Sequence, residues 1–560
     1  MRLRALHKCV SLAACVSVAG AAAALMPMPA HAQATAALSG QVSSAEEGAM
    51  EGVLVSAKKG TITVTVASDN QGRYSFPQDR LEPGHYTIAI RAGGYNLVGP
   101  KEIDVAAGTA ATADVKLTKS RNLVAQLSNA EWLASVPGDD KVKSFLPDCV
   151  GCHTLQRVFT SLHDVEEWKN VFTRMGRYAP ESTPTHPQLL QTGGARSERP
   201  RVPANMMQAA AEFLVGVNLS NADREEYDLK TLPRPKGRAT KVIITEYDLP
   251  RKEALPHDVV VDPDGHAWYS DFGNQMVGEL DPKTGKVTDH PLSLLRAEQP
   301  KGSLDLELDP DGNLWIGMSY QAGASKIDRK TKEVTAYPLP KQWQSPTTQT
   351  NMVTPTHMNV DGKVWMTDTE NGNMYRLDIK TGEWDNLGVA TDASGKQIRG
   401  YGLPTDKDNN VYILEFSNTR IGRLDAKTKQ AQIWSTPFLH SKPRRGRVDD
   451  QNRLWFAEYA GNGIAMFDPA TQTIKEWKLS TPWSAPYDVA FSKGAAEVWT
   501  GSMLTDRVVR LNPKTDEIVE YQLPRSTNIR RVFVQDTGTR PVLWVGNNHG
   551  ASIIRVEPQD

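Results

Sequence analysis

The sequence predicts a multidomain, mainly β protein. It should consist of a small β-sandwich, a small α-helical domain and a seven-bladed β-propeller closed by its own N-terminal strand. Three observations carry this. Residues 36–118 are short alternating runs split by Gly, Pro, Asn and Asp. Residues 119–220 contain two stretches with helical spacing of apolar side chains. From Lys241 onward a unit centred on one aromatic residue recurs seven times. A chain of 560 residues is expected to hold several domains. Its balance of charge, net −1, argues against a general affinity for nucleic acid or anionic membrane surfaces.

Residues 1–32 read as a secretory signal peptide. Arg2, Arg4 and Lys8 precede an apolar run, and Ala30-His31-Ala32 supplies a small-x-small site before Gln33. No later apolar run is long enough to span a bilayer. The expectation is a periplasmic or secreted protein with no membrane insertion after cleavage. Of the 4 cysteines, Cys9 and Cys15 leave with this leader, so Cys149 and Cys152 are the two that remain. No disulfide framework beyond that single pair is then possible.

Those two lie in Cys149-Val150-Gly151-Cys152-His153. A zinc site needs further Cys or His at ligand spacing, and there is no second pair. A thioredoxin-like redox pair wants strands alternating with helices, and the flanking sequence has no such alternation. Covalent haem is the reading left: two thioethers from Cys149 and Cys152, and His153 as the proximal iron ligand. Ser161 to Tyr178 carries Val165, Trp168, Val171, Phe172 and Met175 at helical spacing, and Pro203 to Ser220 reads as a second amphipathic helix. Motif, helix, loop and helix together, with Glu166-Glu167-Trp168-Lys169 inside the first helix, resemble a class I cytochrome c domain over about 75 residues of the segment 119–220, whose first part, 119–140, reads as a lead-in. That resemblance implies one haem c and makes Met175 the distal-ligand candidate, with Met206 and Met207 as alternatives.

In residues 36–118, alternation with frequent turns suggests a small antiparallel sandwich. Asp69 and Asn70 read either as calcium ligands or as turn residues before Gly72. The order of "ASDNQGRYSF" and "LEPGHYTIAIRAGGY" resembles the carboxypeptidase regulatory-like domain, which implies a transthyretin-like accessory module without catalytic residues. Residues 221–240, rich in charge and proline, read as a linker.

The repeat aromatics are Trp268, Trp315, Trp365, Tyr412, Trp455, Trp499 and Trp544, 43–50 residues apart. That period, with four strand signals per unit, indicates a propeller. The last unit lacks a fourth strand, and an orphan strand, Lys241 to Pro250, precedes the first. Its Glu246-Tyr247-Asp248-Leu249-Pro250 matches Glu520-Tyr521-Gln522-Leu523-Pro524 in type, so the start of the domain should complete the last blade. The units resemble the streptogramin B (virginiamycin B) lyase family across 241–560.

Each blade's first strand should line the channel. Counting back from the aromatics places His257, Leu304, His357, Tyr401, Arg444, Tyr487 and Arg530 at strand starts. Three residues after the aromatics come Asp271, Met318, Asp368, Glu415, Glu458, Ser502 and Asn547. One face is thus expected to gather polar side chains, the substrate-binding candidates being Tyr401, Arg444, Tyr487, Arg530, Asp271, Glu415 and Glu458. The acids read first as structural members of the repeat, whereas the two histidines read equally as site residues or as satisfied structural residues. The Asp-Pro-Asp-Gly turns at 262–265 and 309–312 suit calcium or simple hairpin geometry. The lyase resemblance implies magnesium-assisted elimination, with His257 and His357 as acid/base candidates and Asp271, Glu415 or Glu458 as metal ligand. The chain departs from that pattern in its last two blades, where Tyr487, Arg530, Ser502 and Asn547 stand and His549 is out of register.

Three functions follow as expectations. The first is a periplasmic monohaem protein in electron transfer or oxidoreduction, its propeller binding a small organic or anionic substrate or a redox partner protein. The second is a metal-assisted lyase or hydrolase using Mg or Ca on the propeller. The third is a non-enzymatic carbohydrate- or ligand-binding protein.

Overall fold

The computed structural model describes residues 36–191, 201–536 and 540–560. The leader, with Cys9 and Cys15, lies outside the described residues, as does most of the polar loop after Gln191. Among the described residues no helix is long and apolar enough to cross a membrane.

The protein is mainly β, with an N-terminal sandwich and a propeller. In the sandwich, one sheet contains Ala36–Ser44, Arg73–Pro77, Tyr95–Gly99 and Val115–Lys119. The other contains Leu54–Lys59, Ile62–Ala67, Gly84–Arg91 and Glu102–Val105. Leu38, Val42, Val55, Phe76, Ile88 and Val115 fill the space between. Asp69 is a turn residue: its Oδ1 accepts the backbone N–H groups of Gln71 and Arg73, and its Oδ2 the Arg73 Nε–H.

Seven sheets form the propeller. The seventh joins Val532–Asp536, Pro541–Asn547 and Ser552–Pro558 to Val242–Asp248, so the domain's first strand completes its last blade. Tyr247 stacks on Trp544 as Tyr521 does on Trp499 and Tyr337 on Trp315. The repeat's Trp and its outer-strand aromatic are therefore one packing unit. In three of the blades the hairpin is organised by the Asp of its turn. Asp262 accepts the N–H groups of Asp264 and His266 and the Trp268 indole N–H at 2.9 Å, and Asp309 and Asp449 hold Trp315 and Trp455 in the same way. These carboxylates are taken up by N–H donors, which supports hairpin geometry rather than calcium. Gly265 occupies a left-handed φ of 89°, where a Cβ would be strained.

Val242–Asp248 also pairs with the sandwich, antiparallel to Ile62–Ala67. One eight-stranded sheet thus runs from the seventh blade into the sandwich. Period-two alternation explains the fit: Ile243 enters the sandwich core, while Val242 and Ile244 enter the propeller core. Lys58–Asp248 and a bidentate Arg80–Glu557 pair add to the seam. The blade edge that closure leaves exposed is covered by another module.

Between sandwich and propeller, residues 129–217 form short helices: α1 (Asn129–Ser135), α2 (Asp140–Lys143), α3 (Leu146–Cys149), α4 (Leu155–Phe159), α5 (Val165–Gly176) and α6 (Met207–Val217). Capping boxes start α1 (Ser128 with Glu131) and α5 (Asp164 with Glu167). Trp132, Leu133, Leu146, Leu155, Phe159, Trp168, Phe172 and Leu214 make the helical core, and that core continues without a break into Tyr487, Met503 and Leu504 of the propeller. The helical segment is therefore built onto the propeller. Residues 221–240, expected to be a free linker, are instead a strap tied along α1. Leu232 N donates to Glu131 Oε1 at 2.6 Å, Lys230 N donates to Ser135 Oγ at 2.8 Å, and Arg507 donates to the Pro233 carbonyl. The charged and proline-rich composition that signals a linker is also what an extended strap uses.

Candidate functional site: a thiol–imidazole cavity beside the propeller

The Cys-x-x-Cys-His stretch leaves α3, turns through Val150 to Thr154 and enters α4. Pro147 starts α3, where its missing N–H is not needed. A cavity of about 300 Å³ opens beside this turn, lined by Cys149, Cys152, His153 and Met175. Its apolar wall is Val158, Trp168, Val171, Phe172 and Leu214. The spacing on α5 brings Trp168, Val171, Phe172 and Met175 to one helix face. Met206 and Met207 pack on the helical core outside this lining, so Met175 is the cavity's methionine.

Both cysteines are free thiols. Burial pushes Cys149 up to about 12 and raises Cys152 as well. His153 is held below its ordinary value by burial, and its Nδ1 lies 3.1 Å from the Thr154 carbonyl. A carbonyl only accepts, so Nδ1 carries the proton and Nε2 keeps its lone pair as a neutral metal-ligand nitrogen. Arg157, Arg174 and Arg201 also line the cavity, and Asp148 is the one carboxylate residue among the described lining residues. Arg201 donates to the Asp148 carbonyl at 2.9 Å, whereas the side chains of Arg157 and Arg174 have no partner among the described residues. Two thiols, an imidazole lone pair, a thioether, an apolar slot and unpaired guanidiniums suit a flat apolar metal macrocycle bearing carboxylates. The arginines were missed from the sequence because no spacing rule ties them to the motif.

The propeller face expected to be an open funnel is covered by this same segment. Ala130 N donates to the Leu504 carbonyl, Asn528 to that of Val150 and Arg530 to that of Gly151. Gln188 bonds Gly273 and Lys301, and Glu181 accepts from Ser319. Four blades are bridged, and His257, Tyr487, Arg444, Arg530, Asp271, Glu415 and Glu458 are all buried. Arg444 fills the centre of an aromatic box, its guanidinium 3.8–5.4 Å from the ring centroids of Tyr487, Phe416, Tyr459 and Tyr401. The Tyr401 and Tyr487 hydroxyls are hydrogen-bonded to each other, and the Tyr487 hydroxyl lies 3.2 Å from His257 Nε2.

His357 is not at a strand start. The inner strand of the third blade is Thr350–Thr354, with Thr350 opposite Asp368 as Pro256 is opposite Asp271, so Asn351 occupies the position of His257. An inserted 3-10 turn, Met358–Val360, lengthens the connection to the Trp365 strand and throws the count off. His357 instead lines a cavity of about 230 Å³ at the far ends of the inner strands, with its Nδ1 2.9 Å from Thr405 Oγ1. His257 and His357 therefore stand at opposite ends of the channel and cannot act as one acid/base pair.

The acids after the aromatics mostly serve the turns. Asp271 accepts N–H groups of Leu255 and Gly273 and pairs with Arg251 at 2.5 Å, and Glu415 pairs with Arg420 at 2.5 Å. Glu458 differs: burial and its neighbour Glu476 push it up to about 9. Between the two ends, the channel is filled by an ion-pair column. Arg445 bonds Asp258 at 2.8 and 2.9 Å and also Asp305, while Arg531 reaches Asp258, Asp305 and Glu307. Burial pushes Asp305 up to about 8. The column ties blades one, two, five and seven together across the axis.

These features define a propeller protein with an N-terminal β-sandwich. The virginiamycin B lyase family model matches residues 303–496 and 391–560, and the carboxypeptidase regulatory-like domain model matches residues 37–118. The propeller is thus virginiamycin B lyase-like and the sandwich carboxypeptidase regulatory-like. Among solved structures, virginiamycin B lyase from Staphylococcus aureus is 20% identical with a TM-score of 0.48, covering 56% of this chain and 99% of that one. A streptogramin B lyase is 20% identical with a TM-score of 0.47, covering 57% and 99%. No curated protein matches the sequence. Among the described residues no group of three or more His, Cys, Asp or Glu side chains is arranged to hold a metal ion.

Proposed function

We propose that this is an exported c-type monohaem protein that passes single electrons to or from a redox partner protein, with the propeller as its scaffold and partner- or substrate-binding module. The observation that carries the reading is the shared lining of one cavity by Cys149, Cys152, His153 and Met175. Cys149 and Cys152 would be the thioether anchors, His153 and Met175 the axial ligands, and Arg157, Arg174 and Arg201 the counter-charges for two carboxylates. Bound there, the group supplies reversible one-electron exchange. The chain's own contribution is to keep Nε2 of His153 unprotonated through the Thr154 carbonyl, and to wall the slot with Trp168 and Phe172 against water. Export to an oxidising compartment rests on the leader and is part of the proposal.

The lyase reading has less support. Asp271 and Glu415 already use their oxygens on turn N–H groups and arginines, and His257 and His357 are far apart in the channel. The test is to express the full chain with its leader and record visible spectra, oxidised and reduced, with and without carbon monoxide. Peptide masses would be measured in parallel. The expected result is porphyrin covalently attached to the peptide holding Cys149 and Cys152, with a six-coordinate haem unreactive to carbon monoxide. Colourless, correctly exported protein without porphyrin mass would overturn it.

A further inference from the structure

The loop between the two cysteines rests on the seventh blade. Asn528 Nδ2 donates to the Val150 carbonyl at 3.2 Å and Arg530 Nη2 donates to the Gly151 carbonyl at 3.1 Å. Val150 and Gly151 are the two residues separating Cys149 from Cys152. Arg530 is itself held in place: its Nε donates to Asn528 Oδ1 at 2.6 Å, and its guanidinium lies 5.5 Å from the centroid of the Tyr487 ring. It is 5% exposed and, among the described residues, forms no ion pair with a carboxylate, unlike Arg445 and Arg531 nearby. A buried guanidinium keeps its charge, since arginine does not deprotonate in proteins. A fixed positive charge therefore sits directly under the attachment loop, pointing at its backbone.

We infer that Arg530 and Asn528 are positioning residues through which the propeller holds the haem-attachment loop and favours the reduced state of the group it carries. The inference rests on the haem reading above. Two effects combine. The carbonyls of Val150 and Gly151 are pinned, which fixes the direction in which Cys149, Cys152 and His153 project. The unpaired cation also disfavours an additional positive charge nearby, and the oxidised centre carries one more than the reduced centre. The strand starts of the ring, where a ligand funnel was expected, here serve as the platform for a neighbouring cofactor site.

The experiment uses the full exported chain as wild type, Arg530→Gln, Arg530→Lys and Asn528→Ala. Covalent haem content is measured first, then the midpoint potential by redox titration. Arg530→Gln should keep its haem, while its reduced-to-oxidised ratio at a fixed applied potential falls on the order of tenfold, equivalent to about 59 mV for a one-electron couple. Arg530→Lys should recover most of the loss. Asn528→Ala, which frees Arg530 Nε, should shift the ratio in the same direction by at least about twofold. Haem-loaded Arg530→Gln with an unchanged potential overturns the inference, and so does an equal fall in the Lys and Gln variants. Where Arg530→Gln does not accumulate, Asn528→Ala decides, an unchanged ratio again being negative. Wild-type protein without covalent porphyrin would instead take down the haem reading itself.

Discussion

The Nε2 of His257 lies 3.2 Å from the hydroxyl of Tyr487, joining the first blade to the sixth across the middle of the ring. The other ring nitrogen, Nδ1, is 2.7 Å from Asp258 Oδ1, so it carries the proton and Nε2 accepts from Tyr487. Burial holds His257 down to about 3 from an ordinary 6.5, with Arg530 and Arg445 adding to the effect against the pull of Asp258. The unfolded chain takes up a proton near pH 6.5 that the folded site refuses until about pH 3. His257 therefore contributes stability that is complete above pH 6.5 and is lost as pH falls through that window. Denaturant titrations from pH 7 to pH 4.5 should show wild type losing up to about 1.4 kcal/mol per pH unit from this group. His257→Gln should be less stable at pH 7 by about 1–3 kcal/mol and show a shallower acid limb. An unchanged acid limb would count against a neutral buried imidazole.

Glu458 has the opposite dependence. Burial and Glu476 push it up to about 9 from 4.5, so the folded protein keeps a proton that the unfolded chain releases. Its contribution is full below about pH 4.5 and diminishes as pH rises toward about 9. Glu458→Gln, neutral at every pH, should raise the melting temperature at pH 8 and leave it unchanged near pH 4.5. Thermal melts at the two pH values check this, and a gain of equal size at both would rule out a buried, protonated Glu458 carboxyl.

On the proposed haem reading, single changes at the cavity lined by Cys149, Cys152, His153 and Met175 separate attachment from axial ligation. Cys149→Ser with Cys152→Ser should abolish covalent porphyrin, read by peptide mass. Met175→Leu should keep the porphyrin mass but give a reduced protein whose spectrum changes on adding carbon monoxide. Met206→Leu and Met207→Leu should behave as wild type, since neither lines the cavity.

The continuous sheet predicts that sandwich and propeller unfold together. Val64 sits on the strand that pairs with Thr245 on one side and Ala57 on the other. Val64→Pro removes a ladder N–H from an interior strand, a position from which proline is essentially excluded. Calorimetry should then resolve a separate, earlier transition for the sandwich, and limited proteolysis should cut first within 36–118. A single unsplit transition would contradict the coupling.

Much of the fold was legible. The seven aromatics, the turn aspartates and the match of Glu246-Tyr247 to Glu520-Tyr521 name the blades and their closure because each is a local packing or turn requirement repeated at fixed spacing. His357 was misplaced because one inserted 3-10 turn breaks that spacing, and counting cannot see an insertion. The strand Lys241 to Pro250 did carry a readable signal of its second partner: Val242, Ile243 and Ile244 are apolar on both faces, more than one blade edge needs. The cover over the channel face left no such mark, since Tyr487, Arg444 and Arg530 look the same whether they meet solvent, ligand or another segment.

Taken alone, the sequence determined the sandwich, the helices, the ring of seven sheets and the Cys-x-x-Cys-His motif, because all of these depend on periodicity and on contacts close along the chain. Only the tertiary structure decided which side chains meet. It brought Met175 to the same cavity as His153, set Arg530 beneath Gly151, separated His257 from His357 and buried the channel face under the helical segment. Such contacts join residues hundreds of positions apart, and burial of apolar surface rewards any close fit without leaving a local pattern in either partner.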